Sequence, residues 1–313
     1  MTTMQAARID RFGGPEVIHL ETLPVPRPQA DEVLVRVAAA GIDPVDYKIR
    51  QGHLPMIGAD QLPLTLGREL AGVVAAVGDG VIGWLEGDRV FAMSGDEGSY
   101  AHYVRVPAVH LARVPDGLDL ELAAAVPLAA HTAWQALFEH GQLEPEERVL
   151  IHGGSGGVGH FAIQLAKGRG ATVCATGSAA SQAFIRQLGA DRAIDYERER
   201  FEDLGEFDLV IDLVGGETQR RSWAVLAPGG RLVSTLEEPD LTLPEAQGKV
   251  GRFFLVQPSG EQLAEIAALI ERGHLAPHVD ARFPLPRAAD AQRHLEEAHV
   301  EGKVVLVMHH AGR

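Results

Sequence analysis

Glycines separate a short apolar run from an apolar segment with helical spacing in residues 149–167, VLIHGGSGGVGHFAIQLAK. Gly154, Gly156 and Gly159 match the pattern G-x-G-x-x-G, which binds a pyrophosphate when a strand precedes it and a helix follows. The first glycine would allow a tight turn, the second a close approach of backbone to the anion, and the third close contact of helix and strand. Amides at the helix start would hold the anion. The stretch therefore predicts a dinucleotide site, a turn without ligand being the alternative.

The residues beyond these glycines indicate which dinucleotide is bound. Sheets that prefer NAD carry Asp or Glu about 20 residues past the glycines, but no acidic residue lies between His160 and Ala190. The second strand ends instead in small residues that leave room for a 2′-phosphate: Thr176, Gly177, Ser178 and Ser181. NADPH is therefore predicted, with Ser178 as the first choice of phosphate donor and Arg186 as a weaker one. Tyr196 either offers a hydroxyl from the next strand end or is structural.

Two kinds of sequence pattern divide the chain into regions that would position these residues. Residues 1–120 contain apolar, partly alternating runs broken by Gly, Asp and Pro, which predicts a β domain. Residues 121–260 alternate β-branched runs with helix-period segments, which predicts an α/β fold with a doubly wound parallel sheet ending in GRFFLVQP. Residues 261–313 return to strand-like patterns and are expected to rejoin the first domain. A helix in SGEQLAEIAALIERG, capped by Ser259 and stopped by Gly273, would lead into them.

Composition disfavours several classes of partner. The 28 basic and 43 acidic residues give a formal net charge of −15, which argues against general binding to nucleic acid. No apolar run approaches the roughly 18 residues of a membrane span, and the first residues lack the apolar core of a signal peptide, so a cytoplasmic protein is expected. The one cysteine, Cys174, can form neither an internal disulfide nor a thiolate cluster for zinc, and we expect it buried in a strand.

The order of motifs resembles the medium-chain dehydrogenase/reductase superfamily, specifically its zinc-free, NADPH-dependent quinone oxidoreductase branch. The matching segments are GGPEV near the start, AGIDPVDYKIRQG at 40–52, GRELAGVVAAVGDGVIGWLEGDRVFA at 67–92, GSYAHYVRVP at 98–107, AAAVPLAAHTAWQAL at 123–137, VLIHGGSGGVG at 149–159, LGADRAIDY at 188–196 and GKVVLVM at 302–308. The resemblance implies a GroES-like β domain joined to a Rossmann domain, an active site in the cleft between them, and a homodimer.

The same resemblance implies cofactor contacts at matching residues. Thr132 would lie beside the nicotinamide, and the backbone at Phe254 and Val256 would lie along its carboxamide. The turn and the start of the helix would contact the pyrophosphate through Ser155, Gly156, Gly157 and Val158. His131 would either contact substrate or line the start of a helix. Several relatives have Lys where this chain has Ser181.

Three residues of the segment DPVDYKIR are the candidate catalytic residues: Asp43, Tyr47 and Lys48. In relatives with this pattern the lysine faces the nicotinamide ribose, and Lys48 would do so here or would stabilise a developing anion. Tyr47 is the candidate proton donor, with shaping of the pocket as its alternative role. Many relatives have Asn where this chain has Asp43, which leaves substrate preference open.

The zinc-binding branch of the superfamily holds its catalytic metal with Cys and His at positions that fall here on Asp43 and Arg68. Arginine has a fixed positive charge and no available lone pair, so no metal site is expected. Arg68 and Glu69 would form a structural ion pair or line the cleft. Without a metal to help deprotonate an alcohol, electron-poor acceptors are favoured because they accept hydride directly.

The predicted function is NADPH-dependent reduction of quinones or α,β-unsaturated carbonyl compounds. An enoyl-thioester reductase is one alternative. A noncatalytic NADPH-binding protein, acting as a redox sensor or as a structural protein of the lens-crystallin kind, is the other.

Overall fold

The computed structural model describes residues 2–310. Its strands are, in chain order, β1 (Thr3–Ile9), β2 (His19–Pro24), β3 (Glu32–Ile42), β4 (Leu64–Thr65), β5 (Glu69–Val77), β6 (Arg89–Met93), β7 (Tyr103–Pro107), β8 (Ala112–Arg113), β9 (Arg148–Ile151), β10 (Thr172–Gly177), β11 (Arg192–Asp195), β12 (Phe207–Asp212), β13 (Leu226–Ser234), β14 (Val250–Phe253), β15 (Val279–Pro284) and β16 (Lys303–Val307). Its helices are α1 (Pro44–Gln51), α2 (Leu120–Ala123), α3 (Pro127–Trp134), α4 (Gly157–Gly168), α5 (Gln182–Gln187), α6 (Gly216–Ser222), α7 (Gly260–Glu271) and α8 (Ala288–Glu297). A π-helical segment, Gln135–His140, continues α3.

The described residues divide into two compact units. The first comprises residues 2–128, 258–273 and 277–310, and the second comprises residues 129–257 and 274–276.

The first unit is built on a mainly antiparallel sheet. Its strands are ordered β15-β16-β3-β5-β6-β8, and β7 also pairs with β3. The central strand β3, EVLVRVAAAGI, is apolar along most of its length and mostly buried, as expected of a strand covered on both faces. β16 comes from the far end of the chain and pairs antiparallel with β3, with Val304 opposite Ile42. The order β2-β1-β4 forms a smaller sheet in the same unit.

The second unit contains a parallel sheet with the order β11-β10-β9-β12-β13-β14. The chain starts at β9, moves outward to β11, and returns to β12 on the other side of β9. The direction of winding therefore reverses between β9 and β12, which is the doubly wound arrangement whose ligand site lies at the carboxyl edge of that reversal. The predicted α/β class with a doubly wound parallel sheet is confirmed.

Several local signals are also confirmed. The hydroxyl of Ser259 accepts a hydrogen bond from the N–H of Gln262 at 3.2 Å and caps α7. Gly273, with φ of +71°, follows the end of that helix in the left-handed conformation. Cys174 is buried in β10, and this burial raises the pKa of its thiol.

Through the described part of the chain, we find no helix with the length and apolar character of a membrane span.

Two features differ from the expectation. Helix α1 lies within the region expected to be β; it begins at Pro44 and ends at Gln51, and the Gly52 that caps it is left-handed, with φ of +73°. Proline fits the first helical position because its missing N–H needs no partner there. The second unit begins at Ala129 rather than near residue 121, because α2 packs against β3 and β5 of the first unit.

Candidate functional site

The glycine-rich turn joins β9 to α4 at the carboxyl edge of the parallel sheet. Gly153 has φ of +74°, a left-handed conformation that glycine adopts without steric cost. Gly154 is buried, and a Cβ there would lie 2.8 Å from the Cβ of Ala175 on β10. The tight turn that the pattern assigns to Gly154 therefore belongs to Gly153, and Gly154 instead permits close packing against the neighbouring strand.

Gly156 and Gly159 have the two environments that a pyrophosphate-binding turn requires. A Cβ on Gly159 would lie 2.2 Å from the carbonyl oxygen of Gly153, so the helix packs too closely on the turn for a side chain. A Cβ on Gly156 would lie 3.5 Å from that same oxygen, an ordinary van der Waals distance, so the backbone at Gly156 can be approached. Helix α4 begins directly afterwards, and its first amides have no acceptor within the helix. The predicted pyrophosphate contacts Ser155, Gly156, Gly157 and Val158 are all half-buried.

Thr176 supports this turn from the end of β10. Its carbonyl oxygen accepts the N–H of Gly154 at 2.8 Å, and its hydroxyl accepts the N–H of Gly153 at 3.2 Å. The side chain is buried. Thr176 therefore holds the turn in place, and its direct contact with a cofactor stays a prediction.

The ends of β10 and β11 lie side by side because Gly177 pairs with Asp195 in parallel register. Ser178 and Tyr196 directly follow these ends, and the N–H of Tyr196 donates to the carbonyl of Gly177 at 3.3 Å. Tyr196 is 53% exposed and Ser178 is half-buried. The fold thus brings the two predicted phosphate donors to one edge of the sheet, while Arg186 is exposed on α5.

Two other side chains at this edge, those of Ser181 and Asp195, form hydrogen bonds within their own loops. The buried hydroxyl of Ser181 donates to the carbonyl of Ser178 at 3.1 Å and so helps to close the loop. Asp195 is buried, and its Oδ1 accepts the N–H of Glu197 at 3.1 Å. The Nε of Arg198 lies 3.7 Å from Oδ2 of Asp195. An acidic residue does stand near this edge, but its charge is engaged within its own turn.

Thr132 and its neighbour His131 are both buried in α3. Gln135 follows at the start of the π-helical segment and makes two hydrogen bonds to the backbone of Gln257. Its Nε2 donates to the carbonyl at 2.8 Å, and its Oε1 accepts the N–H at 3.0 Å. Sequence analysis did not single out Gln135, whose amide fixes the helix that carries Thr132 to the segment after β14.

Phe254 and Val256 lie in that segment. Phe254 is buried, and its N–H donates to the carbonyl of Ser234 at 3.3 Å, so the chain continues beside the sheet past the end of β14. Its ring stacks on His140 with 4.3 Å between centroids. Val256 is half-buried. The predicted backbone contacts of both residues with a nicotinamide stay predictions.

In the first unit, a buried group of charged side chains lies where β3, β5 and β16 meet. Because Val304 pairs with Ile42, Lys303 at the start of β16 is set beside Asp43 at the end of β3. The Nζ of Lys303 forms a salt bridge with Oε1 of Glu69 at 2.7 Å and donates a hydrogen bond to Oδ1 of Asp43. Asp43 is 3% exposed, Lys303 1% and Glu69 0%, so one ammonium bridges two carboxylates away from water.

Burial and neighbouring charges shift the pKa values of these side chains. Burial, and then the charge of Asp43, raise the pKa of Glu69 well above its usual value. Burial alone would lower the pKa of Lys303, but the carboxylates of Asp43 and Glu69 raise it, so the ammonium keeps its proton. Burial and the charge of Asp43 also raise the pKa of Asp46 to about 7. The region therefore holds a proton among its carboxyl groups near neutral pH.

Helix α1 is anchored by charged side chains on its buried face. Oδ2 of Asp46 accepts the N–H of Asp43 at 2.9 Å and the hydroxyl of Tyr100 at 2.8 Å. One turn further on, the fully buried guanidinium of Arg50 donates to both carboxylate oxygens of Glu296 on α8 at 2.9 Å. Sequence analysis missed Asp46 and Arg50 because charged residues on a short helix usually face solvent.

The other two predicted catalytic residues, Tyr47 and Lys48, are half-buried on α1. Burial, and then the charge of Glu296, raise the pKa of Tyr47, so its hydroxyl keeps its proton near neutral pH. The fold thus places a protonated phenol and an amine, both half-buried, on a helix that Asp46 and Arg50 anchor through their buried side chains.

Arg68 and Glu69 do not form the ion pair expected as one alternative. Successive residues of an extended chain point to opposite sides. Glu69 pairs with Lys303, while Nη1 of Arg68 donates to the carbonyl of Gly95 at 3.1 Å. Across residues 2–310, no group of three or more His, Cys, Asp or Glu side chains is arranged to hold a metal ion.

Known families match both parts of the chain. The family model described as "Alcohol dehydrogenase GroES-like domain" matches residues 29–116, and the model described as "Zinc-binding dehydrogenase" matches residues 188–306. The predicted GroES-like domain is confirmed by the first of these matches. The second does not cover Asp43 or Arg68.

Individual relatives match almost the whole chain. The NADPH-dependent alkenal/one oxidoreductase of Arabidopsis thaliana chloroplasts is 37% identical, over 97% of this chain and 79% of its own length. The structure of the quinone oxidoreductase from Coxiella burnetii is 34% identical, with a TM-score of 0.93 over 98% of this chain and all of that one. The Escherichia coli quinone oxidoreductase crystallised with NADPH is 29% identical, with a TM-score of 0.89 over 97% of this chain and 99% of that one. As the motif order predicted, the chain belongs to the medium-chain dehydrogenase/reductase superfamily.

Proposed function

We propose that this protein reduces quinones and α,β-unsaturated carbonyl compounds with NADPH and without zinc. The observation that carries the proposal is the turn at Gly156, where approachable backbone and the amides of α4 stand at the reversal point of a doubly wound sheet. The relatives named as NADPH-dependent alkenal/one oxidoreductase and quinone oxidoreductase support the same reaction.

The described residues fit NADPH. The turn from Ser155 to Val158 would hold the pyrophosphate, and the edge formed by Ser178 and Tyr196 would hold the 2′-phosphate. Thr132 and the backbone at Phe254 and Val256 would hold the nicotinamide. Bound NADPH supplies a hydride, which an electron-poor quinone or enone accepts without prior activation.

The chain's own task is then to align the acceptor and to provide a proton. We propose that Tyr47 donates this proton, since its phenol is half-buried on α1 and protonated near neutral pH. Lys48 holds the nicotinamide ribose and adds positive charge beside the developing anion. Asp43 acts as a positioning residue: its ionic contact with Lys303 fixes the first turn of the helix that carries both side chains.

Zinc independence rests on the chemistry at two positions. Arg68 has no lone pair to offer a metal, and Oδ1 of Asp43 already accepts from the ammonium of Lys303. Adding Zn²⁺ to chelator-dialysed enzyme is therefore expected to leave the rate unchanged. A rate that falls on dialysis and returns with Zn²⁺ would contradict this part of the proposal.

The experiment that tests the whole proposal is steady-state oxidation of NADPH, followed at the absorbance of the reduced nicotinamide. The acceptor panel contains 1,2-naphthoquinone, an alkenone and an enoyl thioester, and NADH replaces NADPH in a parallel series. Turnover with the quinone or the alkenone supports the proposal. Turnover with the thioester alone supports the enoyl-thioester alternative, and tight NADPH binding without turnover supports a noncatalytic protein.

Tyr47→Phe provides the residue-level test, because it removes the hydroxyl and keeps the ring. General acid catalysis contributes roughly 10²–10⁴-fold, so a fall in kcat of at least about 100-fold is expected. Tyr103→Phe is a matched control on β7 and is expected to retain the wild-type kcat. An unchanged kcat in Tyr47→Phe would remove Tyr47 as donor.

We also propose that the protein is a cytoplasmic homodimer, on the family resemblance and on its single cysteine. Light scattering of the purified protein checks the assembly and is expected to give the mass of two 33.5 kDa chains. Fractionation of the source cells checks the location, and recovery with the membrane or periplasmic fraction would contradict it.

A further inference from the structure

His152 is a buried histidine to which the proposed reaction assigns no role. It follows β9 directly, precedes Gly153, and is 1% exposed. Its Nδ1 lies 3.3 Å from the hydroxyl oxygen of Thr176, and its Nε2 lies 2.9 Å from the hydroxyl oxygen of Ser222 at the end of α6.

The directions of these hydrogen bonds follow from the donors available. Ser222 has one hydroxyl proton, and it goes to the carbonyl of Thr218 at 2.6 Å. Ser222 must therefore accept from His152, which requires the proton of the imidazole to be on Nε2. Burial lowers the pKa of His152 to about 4, so the ring is neutral near pH 7 and Nδ1 is an acceptor.

The remaining bonds are then fixed in turn. Nδ1 of His152 accepts the hydroxyl proton of Thr176, which leaves the lone pairs of that oxygen to accept the N–H of Gly153 at 3.2 Å. The result is a chain of bonds in one direction, from the Gly153 amide through Thr176 and His152 to Ser222. Reversing any member would place two donors against each other.

We propose that His152 and Ser222 are positioning residues for the dinucleotide-binding turn, acting through Thr176 to hold the amide and the left-handed conformation of Gly153. The inference rests on the proposed function for its consequence, since the turn matters because it binds NADPH. The chain of bonds itself stands on the geometry alone. The sequence predicted Thr176 only as a contact of the cofactor. In this hydrogen-bond chain Thr176 also fixes the turn, and His152 and Ser222 of α6 orient its hydroxyl for that role.

The bond directions can be measured without cofactor. Nitrogen-15 NMR of protein labelled at histidine distinguishes a protonated from an unprotonated ring nitrogen. The Nε2–H tautomer is expected for His152 in the wild type, and Ser222→Ala is expected to weaken that preference because it removes the acceptor. A wild-type His152 protonated on Nδ1 would overturn the proposal.

The consequence for binding is measured by titration with NADPH. Thr176→Val keeps the side-chain shape but removes the acceptor for Gly153, and Ser222→Ala removes the far end of the chain. Loss of one such hydrogen bond is expected to raise the Kd for NADPH by roughly threefold to tenfold in Thr176→Val, with a smaller rise in Ser222→Ala. At saturating NADPH the kcat of Ser222→Ala is expected to stay near wild type, so that its effect falls on KM.

Two controls separate positioning from general damage to β10. Thr176→Ser restores the hydroxyl and is expected to restore affinity. Thr172→Val makes the same change at an exposed position of the same strand and is expected to bind as the wild type does.

Wild-type affinity in both Thr176→Val and Ser222→Ala would overturn the inference, as would an equal loss of affinity in Thr172→Val. If Thr176→Val does not fold, the NADPH affinity of Ser222→Ala and the tautomer of His152 still test the inference. A wild type that binds no NADPH would refute the proposed function instead, and the tautomer measurement would then judge the hydrogen-bond chain by itself.

Discussion

Replacing Lys303 with methionine removes one buried positive charge and nearly preserves side-chain volume. The change leaves the carboxylates of Asp43 and Glu69 facing each other without their shared ammonium, in a region that water does not reach. Removing one partner of a buried ion pair typically destabilises a protein by about 3–5 kcal/mol, because the remaining charge is uncompensated. A loss in that range is expected for the first unit at pH 8.

The stability lost in Lys303→Met should increase with pH. Burial and Asp43 already raise the pKa of Glu69, and loss of Lys303 removes the charge that opposes this rise. A carboxyl group whose pKa is raised by folding stabilises the native state below its unfolded pKa, and that contribution is lost as the pH rises through the folded value. The deficit of Lys303→Met should therefore be larger at pH 8 than at pH 5.

Native-state hydrogen exchange of the β3 amides, measured against urea concentration, reports the unfolding free energy of this unit. Arg282→Met is the matched control, because Arg282 also contacts a carboxylate at 2.7 Å, that of Glu121, but both side chains are partly exposed. About 0.2–1 kcal/mol is expected there. A Lys303→Met deficit no larger than that of the control, or one that grows toward acid pH, would refute the reasoning.

Three further changes test other parts of the structure. Ser178→Asp sets a carboxylate at the proposed phosphate edge and is expected to lower the ratio of kcat/KM for NADPH to that for NADH by about tenfold or more; an unchanged ratio would place the phosphate elsewhere. Asp46→Asn imitates the protonated acid: because the pKa of Asp46 is raised from 3.8 to about 7, the wild type loses stability as the pH rises through that interval and the variant does not. Urea unfolding of both proteins at about pH 5 and pH 7 checks this, and parallel pH profiles would contradict it. Gly159→Ala forces a Cβ to 2.2 Å from the Gly153 oxygen and is expected to weaken NADPH binding at least about tenfold, measured by calorimetry, whereas wild-type affinity would show that the turn yields easily.

Local patterns predicted much of the second unit. Short buried strands alternate with helices there, so each signal lies within a few residues of the element it describes, and the glycine spacing located the turn correctly. The role of Gly154 was misassigned because the pattern gives spacing and not φ angles. The Ser259 cap was predictable for the same local reason, since the capping hydroxyl and the amide that donates to it are three residues apart.

The charged group of the first unit was not predictable in this way. Asp43 and Lys303 are 260 residues apart in sequence, and only the antiparallel register of β3 and β16 makes them neighbours. Arg50 and Asp46 look like solvated helix residues until α8 and Tyr100 are in place. Sequence analysis therefore found the segment that carries Tyr47 and Lys48 as a motif, but neither the helix that it forms nor the contacts that hold that helix.

The pairing of β16 with β3 also bears on how this protein is made. While the ribosome extends the chain, Asp43 and Glu69 emerge early, and the lysine that neutralises them is translated only after the entire parallel-sheet unit. Until β16 is made, these acids lack their ammonium, and the last part of β3, residues 39–42, lacks the strand that pairs with it. Completion of that sheet is a late event in biogenesis, and a chain that stalls before Lys303 presents an unpaired strand edge to chaperones or to other nascent chains.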